Sequence, residues 1–318
     1  MSAVHHLLAT GSAKPLPNFF IVGAPRCGTT AMSHYLSKHP QICFARPKEP
    51  HFFTSSLAVS GQPSLQHDYI ERFFGHCGHA KPILGEGSVS YLYSKDALAR
   101  IVQLNPQARF IVMLRSPVTM IQSYHARMLL LLQENVSDFA QAWRLQSLRA
   151  QGKRIPRTCS DPRCLQYGEI GRLGTYLEQL YRLAGRPRCH AIVYDDFVTD
   201  PRMTYARVLR FIGVEDDGRQ VFPPLRSNRR YRFRLLHALI KRPPFLSAGG
   251  VHLRTTKGAR KRSLLKRAQK RLQHWNTVIG PRADLASPMR RELAQTFHGE
   301  IMKLSDLLGR DLSHWING

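Results

Sequence analysis

Short continuous apolar runs alternate along this chain with longer stretches in which apolar residues recur at helical spacing. The runs have the length and the β-branched and aromatic content of buried strands. They are Phe19–Val22, Gln41–Ala45, Ile83–Ser88 (whose end passes into a loop), Arg109–Leu114 and Cys189–Tyr194. Helices are predicted over Thr30–Lys38, Asp68–Cys77, Phe139–Ala150, Tyr167–Leu183, Pro201–Ile212, Ser263–Trp275 and Pro288–Leu308. This alternation predicts one α/β domain over 1–318, a three-layer P-loop-like fold with a mostly parallel central sheet flanked by helices.

The segment from Phe19 to Thr30 predicts an anion-binding loop. A buried strand runs directly into a turn that contains Gly23 and Gly28, and a helix follows. Glycines let the backbone N–H groups point inward, and the positive end of the helix favours negative charge. The same spacing would suit an ordinary strand-to-helix turn, but we favour the anion site.

This loop departs from the nucleotide-binding P-loop in a way that changes its expected ligand. The P-loop pattern Gly-x4-Gly-Lys-Ser/Thr requires a lysine where this chain has Thr29. An NTPase without that lysine loses its contact with the β- and γ-phosphates, and here Arg26 supplies a cation inside the loop instead. We therefore expect a different anion, bound by Arg26, Cys27, Gly28, Thr29 and Thr30.

A second phosphate contact is predicted after the strand Arg109–Leu114. That strand ends in Arg115, where an NTPase would carry its metal-binding aspartate. Ser116 and Pro117 then form a helix start, which places Ser123 two turns inside the helix. A bidentate guanidinium and a nearby hydroxyl can together bind one phosphate.

The candidate proton acceptor is Glu49, in the loop after the second predicted strand. Ligands bind at the carboxyl ends of strands in open α/β sheets, and a carboxylate placed there can accept the proton of a hydroxyl. His51 is the rival base, and the simpler interpretation is a surface Glu49 paired with Lys48. Glu86 is a second carboxylate that could bind an acceptor hydroxyl.

Several of these segments resemble the sulfotransferases. Gly23–Thr30, GAPRCGTT, resembles their 5′-phosphosulfate loop, and Arg115 with Ser123 resembles their 3′-phosphate motif. Lys48–Phe53, KEPHFF, resembles a segment of the heparan-sulfate-type branch and its bacterial relatives, and Leu304–Trp315 is similar to the C-terminal part of the bacterial members. The matching segments occur in the family's order and extend over nearly the whole chain.

The resemblance implies an enzyme that transfers a sulfuryl group from 3′-phosphoadenosine 5′-phosphosulfate (PAPS) to a hydroxyl of a glycan, glycolipid or small molecule. Arg26 to Thr30 would hold the 5′-phosphosulfate, Arg115 and Ser123 the 3′-phosphate, and Glu49 would be the base. Arg26 would also stabilise the transferring group, and no metal is required. One position departs from the heparan-type pattern, because Gly87 stands where those enzymes have a lysine that contacts the sulfuryl group.

The charge of the chain favours anionic partners. The formal net charge is +26, and the segment 218–283 carries 18 lysines and arginines and no acidic residue. This basic insertion or cap could attract an acidic glycan, the nucleotide or an anionic membrane surface, or it could be a solvated segment. Charge alone would also suit a nucleic-acid-binding protein, but no recognised motif supports that alternative and no specific nucleic acid is expected.

The six cysteines give weaker signals. Cys159 and Cys164 could form a local disulfide or part of a metal site, and His76, Cys77 and His79 form a second weak cluster. Plain loop residues are the favoured interpretation of both, so no metal site is expected. Cys27 is expected to be a small loop residue rather than a nucleophile.

A cytoplasmic location is expected, because no apolar run approaches bilayer length and residues 1–17 lack the features of a signal peptide. Those residues are interpreted as a flexible tail. The alternative function is a P-loop kinase or nucleotide hydrolase with a degenerate loop, which Asp195 and Asp196 favour because they follow a strand as a metal-binding aspartate would.

Overall fold

The computed structural model describes residues 16–54, 63–77, 83–224, 229–232, 271–272, 275–279 and 285–317. The chain divides into two compact units. The first comprises Met1–Ile121, Gly168–Leu225 and Arg291–Gly318, and the second comprises Gln122–Tyr167 and Arg226–Arg290. The single domain predicted over 1–318 stays a prediction. Most of the basic segment 218–283, including most of the helix predicted at Ser263–Trp275, lies outside the described residues.

A five-stranded parallel sheet forms the first unit, which confirms the predicted sheet. The strands are β1 (Phe19–Gly23), β2 (Ile42–Phe44), β3 (Ile83–Gly87), β4 (Arg109–Leu114) and β5 (Cys189–Val193). Their order in the sheet is β2-β3-β1-β4-β5. The central strand β1 pairs in parallel with both neighbours, so Phe20 lies opposite Glu86 of β3 and Phe110 of β4. A further antiparallel pair, β6 (Arg229–Tyr231) and β7 (Thr277–Ile279), lies in the second unit.

Helices occupy the connections between these strands, and two more follow the last strand. They are α1 (Thr29–Ser37), α2 (Pro63–Phe74), α3 (Lys95–Leu104), α4 (Pro117–Leu130), α5 (Phe139–Arg144), α6 (Gln146–Ala150), α7 (Tyr167–Ile170), α8 (Leu173–Ala184), α9 (Tyr194–Thr199), α10 (Pro201–Ile212), α11 (Ser287–Leu308) and α12 (His314–Asn317). Among the described helices, none combines the length and the apolar character needed to cross a membrane.

Local sequence explains most of the element boundaries. Helix α10 begins at Pro201 because the carboxylate of Asp200 accepts a hydrogen bond from the Met203 amide at 2.8 Å, and it ends at Gly213, whose φ is 76°. The helix predicted as Tyr167–Leu183 is interrupted between α7 and α8. Gly171 lies in this interruption, and a Cβ there would be 2.2 Å from the Phe297 ring. Only glycine therefore allows this close approach.

The central strands are buried along their whole length. Every residue of β1 is buried, as are five of the six residues of β4, so both faces of the sheet are covered. An aromatic cluster packs on one side of β1, where the rings of Phe20, Phe53 and Tyr91 lie within 6.5 Å of one another. This packing fixes the segment that carries Glu49 close to the sheet.

The second unit contains a buried ion pair. Arg149 donates to both carboxylate oxygens of Glu134, at 2.7 and 2.8 Å, and neither side chain is exposed. The Tyr167 hydroxyl donates to the same carboxylate at 2.6 Å, and the amides of Asn135 and Val136 donate at 2.8 Å. Burial alone would raise the pKa of Glu134, but these hydrogen bonds outweigh it and lower that pKa.

Replacement of Glu134 by glutamine should strongly destabilise the second unit. Breaking a buried pair leaves the Arg149 charge without a counter-ion, which costs roughly 3–5 kcal/mol of unfolding free energy. Because folding lowers the pKa of Glu134, its contribution is present above the pKa of the unfolded state and is lost as pH falls through the folded-state pKa. Urea unfolding of wild type and Glu134→Gln over a pH series measures both effects.

The matched control is Glu169→Gln, which removes an exposed carboxylate paired with Arg172 at 3.1 Å. Exposed pairs contribute little, so this variant should unfold close to wild type at every pH. Equal unfolding free energies for the two variants would contradict the structural role of the buried pair.

Candidate active site

The predicted site residues of the first unit come from loops at one edge of the sheet. Because all five strands are parallel, the loops that follow them emerge at the same edge, where ligands of open α/β sheets bind. Arg26 follows β1, Glu49 and His51 follow β2, and Arg115 follows β4. The structure therefore brings together residues that are up to 89 positions apart in the sequence.

The loop after β1 has the backbone geometry of an anion site. Gly28 caps α1 with a φ of 90°, in the left-handed region, and a Cβ there would also lie 3.1 Å from the Phe197 ring. Arg26 has a φ of 67°. The turn leads into the first amides of α1, which begins at Thr29 and continues with the half-buried Thr30. Helix N-termini of this kind favour an anion.

Cys27 is fully buried in this loop and is not positioned as a nucleophile. Burial raises the pKa of its thiol to about 12, although the charges of Arg115 and Arg26 act in the opposite direction. The thiol is therefore protonated at neutral pH. Arg115 follows β4, which pairs with β1, so it lies at the same sheet edge as the loop that carries Arg26 and Cys27.

Arg115 is held on two sides. Its Nε donates to the Thr119 hydroxyl at 3.1 Å, and its guanidinium lies 4.8 Å from the centre of the Tyr194 ring. This is a cation–π contact, which orients the guanidinium without neutralising its charge. The predicted partner Ser123 is buried on α4, in the second unit, so the pairing of Ser123 with Arg115 stays a prediction.

Glu49 and His51 lie side by side in the loop after β2. Glu49 Oε2 is 3.3 Å from His51 Nε2, and Glu49 Oε1 accepts from Lys48 Nζ at 3.0 Å. The other ring nitrogen of His51, Nδ1, is hydrogen-bonded to the Ser90 hydroxyl at 2.7 Å. Both Glu49 and His51 have positive φ values, 65° and 53°, which is uncommon for residues other than glycine. Such backbone strain is concentrated at functional sites.

The surroundings of Glu49 keep it ionised. Partial burial would raise its pKa, but hydrogen bonds from His51 and Lys48 dominate and lower the pKa to about 2. The ion pair with Lys48, which the simpler interpretation of Glu49 as a surface residue predicted, is therefore present. His51 is a second partner of the same carboxylate. Glu49 can accept a proton, and its hydrogen bonds with His51 and Lys48 set its basicity.

Glu86 is not available to an acceptor, which corrects the expectation from the sequence. Its side chain has no exposed surface, and its carboxylate accepts hydrogen bonds from the hydroxyls of Tyr69 and Ser88. Burial raises the pKa of Glu86 even though these hydrogen bonds act to lower it. Its role is structural, because Ser88 also accepts from the amide of His51 at 3.0 Å and so links Glu86 to the loop after β2.

Sequence reasoning did not find the contribution of Trp315. The buried indole donates from Nε1 to Asp195 at 2.6 Å, and the Trp315 carbonyl accepts from the Ser116 hydroxyl at 3.3 Å. Ser116 follows Arg115, and Asp195 follows Tyr194, so Trp315 joins the two segments that hold the Arg115 guanidinium. These contacts connect positions about 120 and 199 residues apart, which no local pattern reveals.

The acidic pair that favoured a nucleotide hydrolase is already used in structural contacts. Asp195 accepts from Trp315, and Asp196 forms an ion pair with Arg310.

Gly87, where heparan-type enzymes have a lysine, is closely surrounded. A Cβ there would be 3.1 Å from the Ser33 hydroxyl and 3.2 Å from the Phe44 ring.

Comparison with known proteins agrees with this geometry. The sequence model of the sulfotransferase domain family matches residues 16–222 of this chain, and the chain belongs to this family. A solved sulfotransferase from Alicyclobacillus acidocaldarius superposes with a TM-score of 0.65 at 22% identity, over 95% of this chain and 99% of that one, which shows the same fold.

Curated relatives match a shorter region. Heparan sulfate glucosamine 3-O-sulfotransferase 3A1 of Homo sapiens is 32% identical over 113 residues, which are 36% of this chain and 26% of that protein. Carbohydrate sulfotransferase 15 of Mus musculus is 30% identical over 148 residues, 34% of this chain and 26% of that protein. Membrane-associated sulfotransferase kil1 of Dictyostelium discoideum is 31% identical over 111 residues, 35% and 23% of the two chains. The chain thus spans about a quarter of the length of these relatives.

Trp315→Phe should weaken the support of Arg115 while keeping the indole's packing volume largely filled. The lost hydrogen bond to a half-exposed carboxylate should cost about 1 kcal/mol of unfolding free energy. Affinity for adenosine 3′,5′-bisphosphate, the desulfated form of PAPS, should also fall because Asp195, next to Tyr194, loses the indole donor, although the bond from Ser116 to the carbonyl of residue 315 remains. Urea unfolding and calorimetric titration measure the two effects.

The control is Trp275→Phe, at a tryptophan that is 54% exposed in the second unit. It should leave the unfolding free energy unchanged. If Trp315→Phe behaves in the same way in both measurements, Trp315 does not support the site.

Proposed function

We propose that this protein transfers the sulfuryl group of PAPS to a carbohydrate hydroxyl. The observation that carries the proposal is the meeting of the Arg26–Thr30 loop, Arg115 and the Glu49–His51 pair at one edge of the sheet. Membership of the sulfotransferase family supports the donor, because the family uses PAPS. The names of the carbohydrate and heparan sulfate relatives support a sugar acceptor, and glycolipids and small molecules are further hydroxyl-bearing acceptors to test.

The donor would be held by charge and by backbone amides. The Gly28 turn would receive the 5′-phosphosulfate with the Thr29 and Thr30 hydroxyls and the Arg26 guanidinium, with Cys27 as the small buried residue of the loop. Arg115, with Ser123, would bind the 3′-phosphate, since a planar guanidinium suits bidentate phosphate contacts. This assignment gives Arg26 and Arg115 each an anionic partner on the donor.

The reaction would be an in-line displacement at sulfur. The acceptor oxygen forms a bond to sulfur as the bond from sulfur to the phosphate oxygen breaks, and Glu49 takes the hydroxyl proton. The products are a sulfate ester and adenosine 3′,5′-bisphosphate. Arg26 would stabilise the charge of the transferring group, and the main contributions would be positioning and electrostatics.

Glu49 is a stronger candidate for the base than His51. Its carboxylate is ionised in the resting site and each oxygen can accept a further hydrogen bond, whereas both ring nitrogens of His51 are already engaged. A carboxylate of low pKa is a weak base, so the reaction requires one of its hydrogen bonds to be exchanged for the substrate hydroxyl. His51 would then orient Glu49 through Nε2.

The remaining partner assignments stay predictions. The basic segment 218–283 is a candidate contact for an acidic glycan or an anionic membrane surface, and a cytoplasmic location is expected. The scheme for sulfuryl transfer uses no metal.

Donor specificity tests the proposal directly. Adenosine 3′,5′-bisphosphate should raise the melting temperature by mass action on the native state, and ATP with Mg²⁺ should do so far less. Arg115→Ala should weaken the binding of the bisphosphate by roughly 1.5–3 kcal/mol, or about 10- to 150-fold in affinity, because it removes a charge-assisted contact. Arg182→Ala, at an exposed α8 arginine, is the control and should bind as wild type. Equal stabilisation by both nucleotides would overturn the donor assignment.

Glu49→Gln separates the catalytic role from a structural one. The change is nearly isosteric but removes the proton acceptor, so sulfuryl transfer should fall by roughly 10²- to 10⁴-fold while bisphosphate affinity stays near wild type. The assay follows radiolabelled sulfuryl transfer from PAPS to fractionated glycans, lipids and metabolites. His51→Ala, made in parallel, should have the smaller effect.

The pH profile gives an independent check. Because hydrogen bonds lower the pKa of Glu49 to about 2, the loss of kcat/KM on its protonation should lie far below neutral pH. A loss near neutral pH would indicate a histidine. If Glu49→Gln retains turnover while His51→Ala abolishes it, the two roles are reversed.

A further inference from the structure

We propose that Cys43, His76 and Cys77 form a zinc site when the two cysteines are reduced, and that a disulfide replaces it when they are oxidised. Cys43 lies in β2, and Cys77 follows the end of α2. The structure joins them by a disulfide with a Cα–Cα distance of 5.9 Å. Within the described ranges, these residues form the only group of three potential metal ligands whose ligand atoms all lie within 4.8 Å of one another.

The position of His76 is what distinguishes this group from a simple disulfide. Its Nε2 lies 3.6 Å from Cys43 Sγ and 4.0 Å from Cys77 Sγ. Zinc binds sulfur at about 2.3 Å and imidazole nitrogen at about 2.0–2.1 Å, so tetrahedral ligands of these types lie about 3.5 Å apart. The imidazole is therefore already close to where a zinc ion shared with both sulfurs would need it.

The backbone holds the ligands in place before any metal binds. Cys43 is fixed by the pairing of β2 with β3, in which it lies opposite Leu84. The Cys77 amide donates to the Phe74 carbonyl at 2.8 Å, and the Arg46 amide donates to the Phe73 carbonyl at 2.9 Å. These bonds tie the end of α2 to the chain that follows β2. Only the sulfurs need to separate on reduction, to about 3.8 Å in a tetrahedral site.

The chemistry of the ligands selects the metal class. Two thiolates and one imidazole are soft and borderline ligands that suit zinc, whereas Mg²⁺ and Ca²⁺ require oxygen ligands. His76 is exposed, which gives an ion access from solvent, and three protein ligands leave a fourth position for water or a further side chain. His79 follows two residues after Cys77 in the sequence and lies outside the described residues.

The disulfide and the zinc site exclude each other because they use the same sulfur atoms. A dithiol or phosphine reductant supplies two electrons, and two protons complete the conversion of the disulfide to two thiols. Zinc binding then releases those two protons as the thiols become thiolates. In either state the site joins β2 to the end of α2. Its ligand in β2, Cys43, lies six residues before Glu49 in the sequence.

The test uses the full-length protein and zinc itself. One sample is reduced with a phosphine and freed of reductant without oxygen, and a second is left oxidised. Both receive zinc chloride, are desalted and are analysed for bound metal. The reduced sample should retain one more equivalent of zinc than the oxidised one. Zinc should also slow the alkylation of Cys43 and Cys77 at least tenfold in peptide mapping.

Variants distinguish this site from other zinc binding. His76→Ala should keep the disulfide but lower zinc affinity at least tenfold, since even loss of an outer hydrogen bond to a metal ligand commonly costs about 10–100-fold. Cys77→Ser should lose both the disulfide and the zinc. The control is Cys159→Ser, which removes one member of the other close thiol pair, with sulfurs 3.8 Å apart, and should retain the zinc.

Two results would overturn the proposal. One is alkylation of Cys43 and Cys77 at the same rate with and without zinc in the reduced wild type, a measurement that does not depend on the folding of any variant. The other is zinc retention by His76→Ala equal to that of wild type, which would show that the bound zinc does not depend on His76. Neither readout involves sulfuryl transfer, so the outcome is independent of the proposed activity.

Discussion

The parallel pairing of β1 with both β3 and β4 is the constraint on which the site depends. Parallel strands end at one edge, so the loops after β1, β2 and β4 meet although they are far apart in the chain. The pairing in turn depends on close packing at its centre. A Cβ at Gly85 would lie 2.2 Å from the Phe19 ring, so the side chain of one strand fills the space above its neighbour. An alanine at Gly85 would require the buried Phe19 ring to move.

At this edge of the sheet, the pKa values of Cys27 and Glu49 are shifted in opposite directions. Burial raises the pKa of Cys27 to about 12 and keeps its thiol neutral, whereas hydrogen bonds from His51 and Lys48 lower the pKa of Glu49 to about 2 and keep its carboxylate charged. A reactive thiolate in this loop is thereby avoided, and the ionised Glu49 carboxylate lies at the same sheet edge as the cations Arg26 and Arg115. In the proposed reaction, a substrate hydroxyl that displaces one hydrogen bond of Glu49 would raise the pKa of its carboxylate and make it a stronger base.

Sequence patterns predicted the elements that local physics determines. The buried run Arg109–Leu114 and the helix Pro201–Ile212 are confirmed to the residue, because apolar periodicity, an Asp cap and a C-terminal glycine define them. The helix predicted at Phe139–Ala150 is instead α5 and α6, divided at Leu145. The strand ends correctly placed Arg26, Glu49 and Arg115 at one edge.

Contacts between distant segments could not be predicted in this way. The Cys43–Cys77 disulfide joins residues 34 positions apart, and cysteine spacing alone left the pairing open. Cys159 and Cys164, which are closer in sequence, are unbonded with sulfurs 3.8 Å apart. The enclosure of Glu86 depends on Tyr69 and Ser88, and a carboxylate at a strand end looks the same in sequence whether it is enclosed or exposed.

Asp195 and Asp196 show why a motif requires its structural context. Two aspartates after a buried strand would bind Mg²⁺ in a nucleotide hydrolase, since that position faces the phosphates. In this chain Trp315 donates to Asp195 and Arg310 pairs with Asp196. Both carboxylates therefore contact the C-terminal segment. The neighbouring Tyr194 instead presents its ring to Arg115. A strand end that holds a metal ion in a nucleotide hydrolase here orients a cationic side chain.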